Sequence, residues 1–156
     1  MKPLDLLATA DVLLKAGKGK PTQSNLRRAH STAYYALFHC LARNCADTLL
    51  GGEGARRSNP AWRRTYRALD HGTAKTACSQ QHSLATFSQP IQDFANLFNS
   101  MQIKRHEADY DPHISLFKSD VVNDVALVGQ AIENFTSQPI KDRRAFCVHV
   151  LFKTRS

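Results

Sequence analysis

The chain has 156 residues, 42% of them hydrophobic and 22% charged, with a formal net charge of +8. That length suits a single domain, 1–156, which buries about 68–70% of its extended surface and needs no disulfide or metal to hold a core. No apolar run approaches the ~20 residues that cross a bilayer, and no signal-peptide pattern follows Met1, so a cytoplasmic protein with no membrane partner is expected.

Pro3 to Ala16 reads as a first helix, with Leu6, Leu7, Ala10, Leu13 and Leu14 as its apolar stripe and Pro3 in its first turn. Gly17 to Pro21 is a turn that no helix crosses. Thr22 to Leu50 then reads as one long helix, capped by Thr22 and stopped by Gly51-Gly52. Leu26, His30, Ala33, Tyr34, Leu37, Leu41, Cys45 and Leu49 recur on one face, while Arg27, Arg28, Arg43 and Asn44 lie off it. At about 1.5 Å per residue this helix spans roughly 40 Å, so the other elements are expected to pack around it.

Gly51 to Asn59 is a basic loop without the GxxxxGK[ST] pattern of a phosphate loop. Pro60 starts a third helix running towards Ser79, with Trp62, Tyr66 and Leu69 inward, and Gly72 is its expected break point. Ser79 to Ser88 is polar and reads as a loop. Gln89 to about Ala108 is a fourth helix with Ile91, Phe94, Ala95, Phe98, Met101 and Gln102 inward, closed by Pro112. Lys118 to Thr136 is a fifth, with Val121, Val125, Val128 and Ile132 inward. Ile140 to Arg155 is rich in strand-favouring residues, but a lone strand would have no partner, so it is read as a sixth helix. The fold class is therefore all-α, an antiparallel bundle of five to six helices.

The positive charge is uneven. Residues 1–78 hold thirteen Lys/Arg against five Asp/Glu, and residues 79–156 hold eight of each. A basic half favours a polyanionic partner, RNA or DNA ahead of a membrane surface. Cys40, Cys45, Cys78 and Cys147 form no CxxC or zinc-type pair and read as free thiols.

Three stretches hold side chains suited to chemistry. In RRAHSTAYYALFH (27–39), Arg28, Ser31, Tyr35 and His39 make a polar ridge; the competing reading puts both tyrosines in the core. KRHEADYDPH (104–113) is the densest polar cluster. Lys104 and Arg105 near a helix C-terminus would complement its dipole and pair with Asp109 and Asp111, which makes the stretch equally a solvated helix end. His106, Asp109, Asp111 and His113 match no familiar ligand spacing, so no metal or cofactor is expected. Arg63, Arg64, Tyr66, Arg67 and the Asp70-His71 pair suit phosphate contact and stacking, or form one wet face of a helix.

Taken together, RRAHSTAYYALFH (27–39) followed by RHEADYDP (105–112) resembles the HEPN domain family, in particular the branch with an AYYAxFH helix and a downstream RxxADYD segment. The resemblance covers roughly residues 4–135 and leaves 139–156 as a C-terminal extension. It implies a helical bundle, a homodimer, and a basic cleft that binds RNA. Many members resemble metal-independent ribonucleases of prokaryotic toxin–antitoxin or defence systems. Their signature is an Arg, four to six intervening residues, then a His, the Arg stabilising charge on phosphate and the His moving the 2′-hydroxyl proton.

By position Arg105 would be that arginine, with Tyr110 and His113 as the residues nearest the base. The signature spacings from Arg105 hold Tyr110, Asp111 and Pro112, and His113 falls one residue beyond. Arg28, Tyr35, His39, Lys104, His106 and the arginines 63, 64 and 67 would bind nucleic acid. The departure from the signature keeps open a non-catalytic module that binds a nucleotide or a protein such as a nucleotidyltransferase antitoxin.

Overall fold

The computed structural model describes residues 1–156, and the long helix is its axis. Helix α2, Gln23–Leu50, runs 28 residues, about 42 Å at 1.5 Å per residue. The Thr22 hydroxyl accepts the Asn25 N–H at 3.2 Å to start it. Gly51 ends it at φ 108°, a left-handed conformation where an added Cβ would also lie 2.8 Å from the Ala55 Cβ.

Around α2 stand α1 (Pro3–Lys15), α3 (Asn59–Ala68), α4 (His71–Ala77), the single turn α5 (Gln81–Leu84), α6 (Gln89–Tyr110), α7 (Lys118–Thr136) and α8 (Ile140–Leu151). Helix α2 touches α1, α3, α6, α7 and α8 directly. One continuous cluster of 30 buried residues, drawn from every helix except α3, forms a single core. Because α2 is enclosed on several sides, it is buried beyond its predicted stripe. Ala29, Ala36, Cys40, Ala46 and Thr48 are buried, and so is Asn44, which the sequence placed outside. Helix α8 covers Asn44, whose amide donates to the Cys147 sulfur at 3.0 Å and whose carbonyl accepts from Arg143 at 2.9 Å. All four cysteines are free and buried.

The all-α reading stands, with eight helices where five to six were expected. The third helix breaks at Leu69-Asp70, ahead of the expected Gly72. Leu69 is extended, and the Asp70 carboxylate accepts the Thr73 N–H at 2.8 Å, capping a new helix in which Gly72 is an interior residue. The expected loop 79–88 contains α5. Residues 140–151 are helical as read, and the helix stops at Leu151, short of Arg155. Phe146, Cys147 and Val150 share its buried face, so α8 belongs to the core. No helix is long and apolar enough to cross a membrane.

Helix α6 continues past Ala108 to Tyr110, and its last turn holds no basic residue, so Lys104 and Arg105 do not serve its dipole. Arg27 does that work, donating to the carbonyls of Ala108, Asp111 and Ile114 at 2.9, 2.7 and 2.6 Å. Gln23 then exchanges two hydrogen bonds with Leu116, drawing the chain towards the start of α2.

Candidate functional site

Adjacent helical residues project about 100° apart, so the tyrosine doublet divides: Tyr34 is fully buried and Tyr35 half-buried. Helix α6 packs across α2 at this level and carries Arg105 to both rings. Its guanidinium carbon lies 5.2 Å from the Tyr34 ring centre and 5.9 Å from that of Tyr35, within cation–π range. The Arg105 side chain is 12% exposed and sits 3.5 Å from Asp109 one turn on; its Nε has no partner in the chain.

Two imidazoles join this junction, each tied to a tyrosine. The Tyr34 hydroxyl lies 2.7 Å from His71 Nδ1, and His71 stacks on Phe38 at 4.1 Å. Gln102 fixes the start of α4 by donating to the His71 carbonyl at 3.1 Å. The Tyr66 hydroxyl lies 2.5 Å from His39 Nδ1, with the two rings stacked. Burial pushes both phenol pKa values up, so both keep their protons. Within the chain each hydroxyl has only the imidazole Nδ1 as partner, and each pair shares one hydrogen bond.

Both imidazoles are also held neutral. Burial lowers the His71 pKa most, then the Arg105 charge, against an opposing pull from Asp70. Burial again leads for His39, followed by the N-terminal ammonium and His71. The Tyr35 ring centre lies 5.9 Å from the Arg105 guanidinium, 6.3 Å from His39 and 5.9 Å from His71. Its hydroxyl makes no hydrogen bond within the chain. A guanidinium, two imidazoles and a free phenol gathered at one tyrosine ring are the kinds of group that contact a phosphodiester and stack a base.

The lowered histidine pKa values make stability pH-dependent. A histidine with a folded pKa below its unfolded value of about 6.5 stabilises the fold fully above that pH and progressively less below it. The urea midpoint is therefore expected to be flat from about pH 8 to 7 and to fall below about pH 6.5. The fall should be shallower in a His39→Gln/His71→Gln variant, measured against the wild type across the same pH series.

The other residues singled out in the sequence go elsewhere. Lys104 donates to both carboxylate oxygens of Asp124 at 2.9 and 3.0 Å; it pairs with neither Asp109 nor Asp111. One step round α6 from Arg105, it faces the seam with α7. Tyr110 is 67% exposed and packs against His106 at 4.8 Å. The helix is unbroken to Tyr110, which puts it about 140° round the axis from Arg105. His113 is exposed in the turn, its backbone N–H donating to the Asp111 carboxylate at 2.9 Å. Arg27 holds that turn towards α2, so neither Tyr110 nor His113 reaches Arg105.

His106, Asp109, Asp111 and His113 do not converge as a metal cluster. Ser31 is buried, donating to Asp109 at 3.3 Å, and Arg28 is exposed at the open end of the ridge. Arg63, Arg64 and Arg67 are exposed on α3, while Trp62 and Tyr66 turn towards α2. His71, grouped in the sequence with those arginines, belongs instead with Tyr34. The Asp70-x-x-Thr73 cap is the signal that would have set it at the start of a separate helix.

Comparison with known proteins finds no matching family model, and no curated protein or solved structure with significant similarity to the chain.

Proposed function

We propose that this chain is an HEPN-like RNA-binding protein whose cleft is built on Arg105, Tyr35, His39 and His71. The observation that carries the reading is the seating of the Arg105 guanidinium on the Tyr34-Tyr35 doublet with two tyrosine-tied imidazoles beside it. Arg105 would take the phosphate and Tyr35 the base. The basic N-terminal half would draw in the polyanion. A homodimer acting in a prokaryotic toxin–antitoxin or defence system, in the cytoplasm, belongs to the same proposal and rests on the motif resemblance alone.

Two forms of the proposal differ in turnover. In the first the cleft cleaves RNA without a metal. In the second it only binds RNA, a nucleotide or a nucleotidyltransferase antitoxin. The absence of Tyr110 and His113 from the junction favours the second. Incubating the purified protein with a mixed RNA pool in EDTA distinguishes them. The expected result is RNA retained by the wild type, uncleaved and released on Arg105→Ala. Cleavage in EDTA that Arg105→Ala abolishes would establish the ribonuclease form. An absence of both binding and cleavage would remove the reading altogether.

A further inference from the structure

Helix α3, NPAWRRTYRA, contains no carboxylate. Its three arginines are exposed and line an open depression with Pro60 and Ala68. The chain's ion pairs engage His30, Arg43, Arg57, Lys104 and Arg105, and none engages Arg63, Arg64 or Arg67. Arg63 and Arg67 lie one turn apart on the same side, with Arg64 about 100° round from Arg63. This is a concentrated positive surface with no internal counter-charge.

The opposite side of the helix says which polyanion it suits. A helix that lies on a lipid surface needs its apolar side free to enter the bilayer. Here that side is taken. The Trp62 indole N–H donates to Asp47 at 2.8 Å, with the Arg57 guanidinium 4.6 Å above the ring. Tyr66 stacks on Trp62 and bonds His39. No α3 side chain is among the exposed large hydrophobic residues. Through Tyr66 the helix is tied to His39, one of the two imidazoles beside Tyr35.

We infer that the arginine face of α3 is a docking surface for the phosphate backbone of an RNA strand that continues into the Arg105 cleft, and that it supplies most of the salt-dependent affinity. The inference rests on the RNA-binding reading above and adds a second surface to it. Guanidiniums in this setting contact phosphates without reading bases, so the surface should be indifferent to sequence.

The test is the salt dependence of binding to an unstructured single-stranded RNA, followed by fluorescence anisotropy from about 50 to about 200 mM salt. Each phosphate contact on a single strand contributes about 0.7 to the slope of log affinity against log salt. Substituting all three residues (Arg63→Gln, Arg64→Gln, Arg67→Gln) is expected to reduce that slope by about 2, and Arg105→Gln alone by about 0.7. The three arginines are solvent-exposed and bond to nothing in the chain, so an unchanged thermal melt confirms the triple variant as folded. A wild-type slope in the triple variant, with binding still weakened by Arg105→Gln, would overturn the α3 surface and leave the cleft standing. A wild type with no RNA affinity even at the lowest salt would overturn both. So would α3-dependent binding to phosphatidylserine vesicles without binding to RNA, which would reassign the patch to a membrane.

Discussion

Asp124→Ala is expected to lower the stability of the fold by about 3 kcal/mol, at the lower end of the ~3–5 kcal/mol lost when one partner of a buried pair is removed. Asp124 is 6% exposed and sits between two cationic or donor groups. His30, 2% exposed, approaches one carboxylate oxygen at 2.8 Å, and Lys104 reaches both at 2.9 and 3.0 Å. Burial pushes the Asp124 pKa up, but the hydrogen bonds from His30 and Lys104 outweigh it and the net shift is downward.

Truncation leaves His30 buried with both ring nitrogens unpaired, because its Nδ1 already has no partner. Lys104 is 48% exposed and regains water, which sets the cost at the lower end of the range. For a chain of this size the loss corresponds to a drop of about 6–12 °C in thermal midpoint. Replacing His30 and Asp124 together by leucine should recover most of it, since a buried polar pair exchanged for packed apolar groups is often neutral or better. A single variant that melts like the wild type would mean that this network does not hold α2, α6 and α7 together.

The regular part of the fold was legible because its signals are local. Thr22 and Gly51 mark the ends of α2 in the sequence and occupy its caps in the structure. The stripe from Ile91 to Gln102 is buried throughout, as is the set Val121, Val125, Val128 and Ile132. Local signals also compete. At the third helix, Gly72 is the more conspicuous breaker, yet the Asp70 cap decides the boundary because it satisfies a backbone donor that Gly72 leaves alone. Residues 140–151 favour strand by composition, but their only neighbours are helices, and the spacing of Phe146, Cys147 and Val150 suits a helical face.

Polar partnerships across the bundle were not legible, since sequence spacing says nothing about them. Arg27 looked like a surface cation and instead bonds carbonyls 81, 84 and 87 residues away. Lys104 looked like a partner for its own acidic turn and instead neutralises Asp124 on the next helix. Arg105 and the tyrosine doublet were linked only by motif resemblance; no periodicity joins α2 to α6. His71 could not be placed until the break before it was known.

The proposed cleft stands or falls on Arg105. A charge-assisted contact to phosphate contributes about 1.5–3 kcal/mol, so Arg105→Gln should weaken RNA binding about 10–100-fold. Arg105→Lys should restore only part of this, because an ammonium keeps the charge but loses the two-pronged geometry and the stacking on Tyr34 and Tyr35. The most direct measurement is photocrosslinking of 4-thiouridine-labelled RNA to the full chain, with the adduct located by mass spectrometry. The adduct is predicted on the tryptic peptide 29–43, at Tyr35 or His39, and should fade in Arg105→Gln. Adducts found only on other peptides, or an adduct on 29–43 that persists undiminished in Arg105→Gln, would contradict it.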